Sequence, residues 1–195
     1  FAIMHETGHA LYEQGLPKNK AFEPIGSFAS MGIHESQSRL IENHVGRSAH
    51  FCQYIHDLLT KSFGKASIPD KHTLFKMVNR VTNGFIRTEA DELTYNLHIM
   101  LRFELEEELI EGKLAPKDLE ESWNHRFLRD FGIPVPDSGQ GVLQDIHWSL
   151  GAFGYFPTYT VGNIYAAALF QKITTDYPSV MEQMGKGDIV LIRNW

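Results

Sequence analysis

An all-α fold is expected from this sequence on three observations. No run of alternating apolar and polar residues long enough for a strand occurs along the 195 residues. Most of the chain instead repeats its apolar residues at three- and four-residue spacing. The breaks fall on Gly, Pro, Ser and Asp, residues that stop or cap helices. The first helix spans Phe1 to Gln14, stopped by Gly15 and Pro17. Pro17 to Gly32 is a loop rich in Gly, Pro and Ser. His34 to Val45 and Ser48 to Phe63 form two helices separated or bent near Gly46, and Asp70 caps a helix to about Thr82. Thr88 to Glu111 is predicted as one long helix that buries a face of Leu93, Leu97, Met100, Leu101, Leu105 and Leu109. Pro116 to Phe131 is a helix with Pro in its first turn and Gly132 beyond its end. Ile133 to Gly141 is a loop, Gln144 to Tyr159 is irregular, and Thr160 to Tyr177 is a helix whose Gly162 and Ala166 to Ala168 permit close packing.

The ends carry their own expectation. The first helix has no capping residue before it, which leaves its first amides without acceptors. At the other end Asp188 opens a helix of only two turns. Residues 1–195 are therefore expected to be part of one longer domain, incomplete at both ends.

Composition narrows the function. A hydrophobic fraction of 43% and a charged fraction of 22% are those of a folded globular chain. A net charge of -6 argues against nucleic acid as a partner, because such binding needs a basic face. The most apolar stretch, Ile164 to Phe170, is too short to span a bilayer, so no membrane partner is expected. One cysteine, Cys52, and the lack of a leading secretory signal suit a reducing, cytoplasmic setting.

His5-Glu6-Thr7-Gly8-His9 lies on the first helix. Residues four apart stand one turn above each other on one face, so both imidazoles can reach one zinc while Glu6 sits beside it as a proton acceptor for bound water. A catalytic zinc needs a third protein ligand and an open position. Glu35 is the candidate, far enough along the chain for the intervening loop to turn back. Gly8 inside the motif costs roughly 1 kcal/mol of helix stability, which points to close approach of another segment or a substrate. Zinc is the first choice of cation, with cobalt or manganese accepted by the same ligand types.

Read singly, other residues have ordinary roles. Arg87 precedes Thr88 to Asp91 and suits a local ion pair with Glu89 or Asp91. His147 beside Trp148 suits a structural histidine, and Tyr155 and Tyr159 suit packing. Asp145, Gln144, Glu42 and Asp91 are rival partners for orienting a ligating imidazole. His44, His50, His56, His72, His98 and His125 read as structural or exposed, and His34, beside Glu35, reads either as lining the site or as structural. The acidic run Glu104 to Glu108 reads as the solvated face of a helix.

Four motifs together carry a resemblance. HETGH at His5 to His9, HESQSRLIEN from His34, IRTEAD from Ile86 and GVLQDIHW from Gly141 resemble, in order, those of the thermostable (Taq-type) metallocarboxypeptidases. The match spans essentially the whole chain but only the C-terminal part of a family chain. Two family motifs, His-Pro-Phe and Asp-x-Arg-x-Thr, are not in this sequence. The resemblance implies a helical fold, one divalent metal, removal of C-terminal residues from peptide substrates and a homodimer. It implies His5, His9 and Glu35 as ligands and Glu6 as the catalytic carboxylate. It associates Arg87, His147 and Tyr159 with the substrate carboxylate or the transition state, where Arg87 offers a planar fork. Alternatives kept beside it are an endo-acting or dipeptide-releasing zinc peptidase, and an inactive helical dimerisation module.

Overall fold

The computed structural model describes residues 1–195, and all its regular elements are helical. In order they are α1 (Ala2–Gly15), α2 (Met31–Arg39), α3 (Ala49–Phe63), α4 (Lys71–Val78), α5 (Tyr95–Ile110), α6 (Leu119–Phe131), α7 (Pro157–Asp176), α8 (Val180–Met184) and α9 (Val190–Asn194). The chain divides into two compact units, one of Phe1–Arg80 with Val161–Trp195 and one of Val81–Thr160.

In the first unit the expected bend near Gly46 is a wide π-helical stretch, Leu40–Gly46, that continues α2 directly. Helix starts are set by side chains. Ser30 Oγ accepts from the Ile33 amide, Ser48 Oγ from Phe51, and Asp70 Oδ1 from His72 and Thr73. Each satisfies amides that would otherwise lack acceptors. Helix α1 packs on α2 and the π stretch, and α3 packs on α4 and α8. The core joins Leu40, Ile41 and Val45 to Ala166 and Ile173 of α7 and to Val180, Met184 and Ile192.

In the second unit α5 packs on α6 around Leu101, Leu105, Trp123, Phe127 and Phe131. The expected helix from Thr88 is shorter than its pattern. Arg87–Glu89 is a 3-10 turn, and the Asp91 carboxylate takes the amides of Leu93 and Thr94, so the α-helix begins at Tyr95. Its buried face also differs. Leu93, Leu97 and Met100 are exposed, whereas Tyr95, His98, Ile99, Leu101, Arg102, Leu105 and Glu106 are buried. His98, Arg102 and Glu106, four residues apart, form a polar stripe inside the unit, which no apolar periodicity could reveal.

Candidate metal centre and a buried charge network

Helix α1 stacks His5 over His9, with ring centroids 4.8 Å apart. Helix α2 brings Glu35 to them, and the donor atoms of the three residues lie within 4.8 Å of one another. Glu35 Oε2 stands 3.5 Å from His9 Nε2 and 3.8 Å from His5 Nε2. Ligands on a tetrahedral zinc with bonds of about 2.1 Å stand about 3.4 Å apart. The observed separations thus suit a shared cation better than direct hydrogen bonds. Glu35 is buried, and its other oxygen accepts from Arg39 Nε at 2.8 Å. Glu6 is exposed on the neighbouring position of α1.

Two glycines make this approach possible. A Cβ on Gly8 would stand 2.3 Å from the Gln37 carbonyl oxygen, so the helix-weakening glycine lets α2 touch α1. A Cβ on Gly162 would meet Glu35 Cγ at 2.6 Å, so Gly162 leaves room for the Glu35 side chain.

The far nitrogens of both imidazoles are also engaged. His5 Nδ1 lies 2.9 Å from Glu42 Oε2. A carboxylate only accepts, so the proton sits on Nδ1 and Nε2 keeps its lone pair. Burial pushes the Glu42 carboxyl up, but the His5 hydrogen bond and the guanidinium groups of Arg39 and Arg47 outweigh it and hold it below the usual range. Among the rival orienting carboxylates, Glu42 is the one that meets a candidate ligand, His5. His9 Nδ1 lies 3.1 Å from the His34 carbonyl and 2.6 Å from His34 Nδ1. Burial lowers the His9 pKa, which favours the neutral imidazole that a cation requires. A separate cleft of about 310 Å3, lined by Leu11, Leu40 and Ile173 among others, contains none of the three donors.

The second unit brings together Arg87, His147 and Tyr159, the first and last of them 72 residues apart in the sequence. His147 Nε2 lies 3.0 Å from the Tyr159 hydroxyl. The Arg87 guanidinium carbon stands 4.7 Å from the centre of the Tyr159 ring, and its Nη1 donates to Tyr95 at 3.0 Å. Its ion-pair partner is Asp145, not Glu89 or Asp91. Nε and Nη2 donate to Asp145 Oδ1 at 3.0 and 2.7 Å. The other oxygen of Asp145 accepts from Arg102 Nε at 2.7 Å. Burial works against the charge on Arg87, yet Tyr95 and Asp145 more than compensate and keep it protonated. Burial draws the fully enclosed Arg102 down to about 10, still charged near neutrality. Burial raises the Asp145 carboxyl, but the two arginines bring it below the ordinary value. Burial also lowers the His147 pKa.

Sequence reasoning missed Arg102, Tyr95 and Glu106. Glu106, expected in a solvated run, is buried and accepts from Trp148 Nε1 at 2.8 Å and from the Gly154 amide at 3.1 Å. The only advance signal was its place in a four-residue repeat with Arg102 and His98 on α5.

Two histidines one turn apart, a glutamate between them and a third donor from another helix define a metallopeptidase type of centre on a helical scaffold. The chain belongs to the Carboxypeptidase Taq (M32) metallopeptidase family, whose description matches residues 1–195. It is 46% identical over 198 residues to thermostable carboxypeptidase 1 of Thermus thermophilus, covering all of this chain and 38% of that relative. It is 39% identical over 199 residues to carboxypeptidase 1 of Bacillus subtilis, again covering all of this chain and 39% of the relative. Among solved structures, the Pyrococcus furiosus carboxypeptidase in its apo-Mg form superposes with a TM-score of 0.93 at 43% identity, over 98% of this chain and 39% of the other. The chain thus spans less than two-fifths of the length of these relatives. No helix is long and apolar enough to cross a membrane.

Proposed function

We propose that this chain carries the metal centre of a carboxypeptidase that removes residues one at a time from the free C-terminus of peptides. The observation that carries the reading is the convergence of His5, His9 and Glu35 from two helices. A divalent cation there, zinc first and cobalt or manganese next, supplies Lewis acidity to a water and to the scissile carbonyl. Glu6 takes a proton from the attacking water and delivers it to the leaving amine. In the second unit the Tyr159 hydroxyl, paired with His147, is a group of the kind that can donate to an oxygen becoming negative in such a reaction. Arg87, in the same unit, is the group suited to a substrate carboxylate. Its three hydrogen bonds to Asp145 and Tyr95 leave two of its five N–H donors, one on each Nη. A homodimer and a cytoplasmic setting complete the reading, the latter supported by the single buried Cys52.

A hydrolysis ladder tests the substrate class. Free C-termini should shorten by single residues, and an amidated peptide cleaved equally fast would point to an endopeptidase. Glu6→Gln should retain the cation and lose at least about two orders of magnitude in turnover, since it removes the proton shuttle and no ligand. Near-normal turnover in that variant would remove Glu6 from the reaction.

A further inference from the structure

Helix α1 carries a third polar residue on the ligand face. Glu13 follows His9 by four positions, as His9 follows His5, so the three stand in line along one side of the helix. Glu13 Oε1 lies 2.8 Å from His34 Nε2. The other nitrogen of the same ring, His34 Nδ1, lies 2.6 Å from His9 Nδ1. The His34 ring is held edge-on by Tyr12 and Phe28, with centroids 5.4 and 5.2 Å away.

These contacts permit only one consistent placement of protons on neutral rings. His9 Nδ1 faces the His34 carbonyl at 3.1 Å, and a carbonyl oxygen only accepts, so His9 carries its proton on Nδ1. Two nitrogens 2.6 Å apart share one proton, so His34 Nδ1 must be bare and accept it. A neutral His34 then carries its proton on Nε2, where the Glu13 carboxylate stands to receive it. With its proton on Nδ1, His9 presents the lone pair of Nε2 toward Glu35.

We propose that Glu13 and His34 are positioning residues that lock the ligand tautomer of His9 through a two-step hydrogen-bond chain. This inference rests on the metal centre proposed above. It also accounts for a difference between the two histidines. His5 meets a carboxylate directly, whereas the carboxylate serving His9 is one ring removed and half exposed, with 50% of its side-chain surface accessible. Glu13 therefore acts as an acceptor more than as a charge, because solvent screens an exposed pair. Reversing its hydrogen-bonding sense should matter more than neutralising it.

The test uses long-range 1H–15N correlation spectra of the cation-free protein, followed by cobalt(II) titration against a chelator. The spectra should show a protonated Nδ1 on His9 and a protonated Nε2 on His34. Glu13→Gln keeps an acceptor oxygen and should leave the cobalt Kd within about threefold of the parent. Glu13→Lys places only donors against His34 Nε2 and should raise Kd by about 10- to 100-fold, the usual effect of losing a partner behind a ligand. His34→Ala should do the same. Opposite tautomers, or a cobalt Kd unmoved by both Glu13→Lys and His34→Ala, overturn this inference and leave the metal centre standing. A parent protein that takes up no cobalt overturns both together.

Discussion

Asp145 is a single carboxylate facing two guanidinium groups in a place that water scarcely reaches. Its side chain is 11% exposed, against 7% for Arg87 and none for Arg102. Asp145→Asn would leave both cations without a counter-charge, and breaking such a buried group costs about 3–5 kcal/mol. Urea unfolding should report that loss, and a midpoint unchanged from the parent would show that the pairing is dispensable. Glu35→Ala removes one donor of the proposed metal centre and also strips Arg39 of a buried partner. It should abolish stoichiometric uptake at limiting metal, whereas full occupancy would place the third ligand elsewhere. His5, Glu6 and His9 were readable in the sequence because their relation is local, one helical turn. The partner of Arg87 was not, because 58 residues separate it from Asp145 and nearer acids competed for the same reading.

Helix order and most helix ends were legible because capping residues act within three positions of themselves. Ser48, Asp70 and Gly132 all sit where their chemistry puts them, the last with φ of 72° in the left-handed region at the end of α6. The start and the buried face of α5 were not legible. Asp91 folds back on the two amides ahead of α5, and the polar stripe inside it is recognised only by partners from distant segments. The crossing of α1 and α2 was half legible, since Gly8 announced a close approach without naming what approaches. Gly8→Ala gains roughly 1 kcal/mol of helix propensity. It also forces a methyl to within 2.3 Å of backbone in α2, and overpacking of that kind typically costs about 1–3 kcal/mol. The variant should melt earlier and bind metal more weakly; a higher melting temperature would mean that α2 yields without cost.

Acid sensitivity belongs to the protein as a whole. His98 is fully buried against Phe127 and Phe131, neither ring nitrogen has a hydrogen-bond partner, and burial with Arg102 nearby lowers its pKa to about 3. In the unfolded chain the same group titrates near 6.5. Between those values the unfolded state binds a proton that the folded state refuses, so stability falls as pH drops from about 6.5 toward 3. The slope from this one group is about 1.4 kcal/mol per pH unit. His9 and His147, also lowered, act in the same direction. His98→Met should flatten part of that slope in urea titrations between about pH 6 and pH 4 and cost little near neutrality, as no hydrogen bond is lost; a parallel slope would assign the acid response to other groups.

The π-helical stretch Leu40–Gly46 also governs how the gene can change in length. Each residue of an α-helix turns the chain by about 100°, and a π turn holds one residue more than an α turn. Losing a single codon there would remove that extra residue and let the stretch rewind into an ordinary α-helix, with the chain beyond it keeping nearly the same face. The widening around Glu42 would close, so a one-codon deletion at this spot should leave the helices beyond it in place while disturbing the contact between Glu42 and His5.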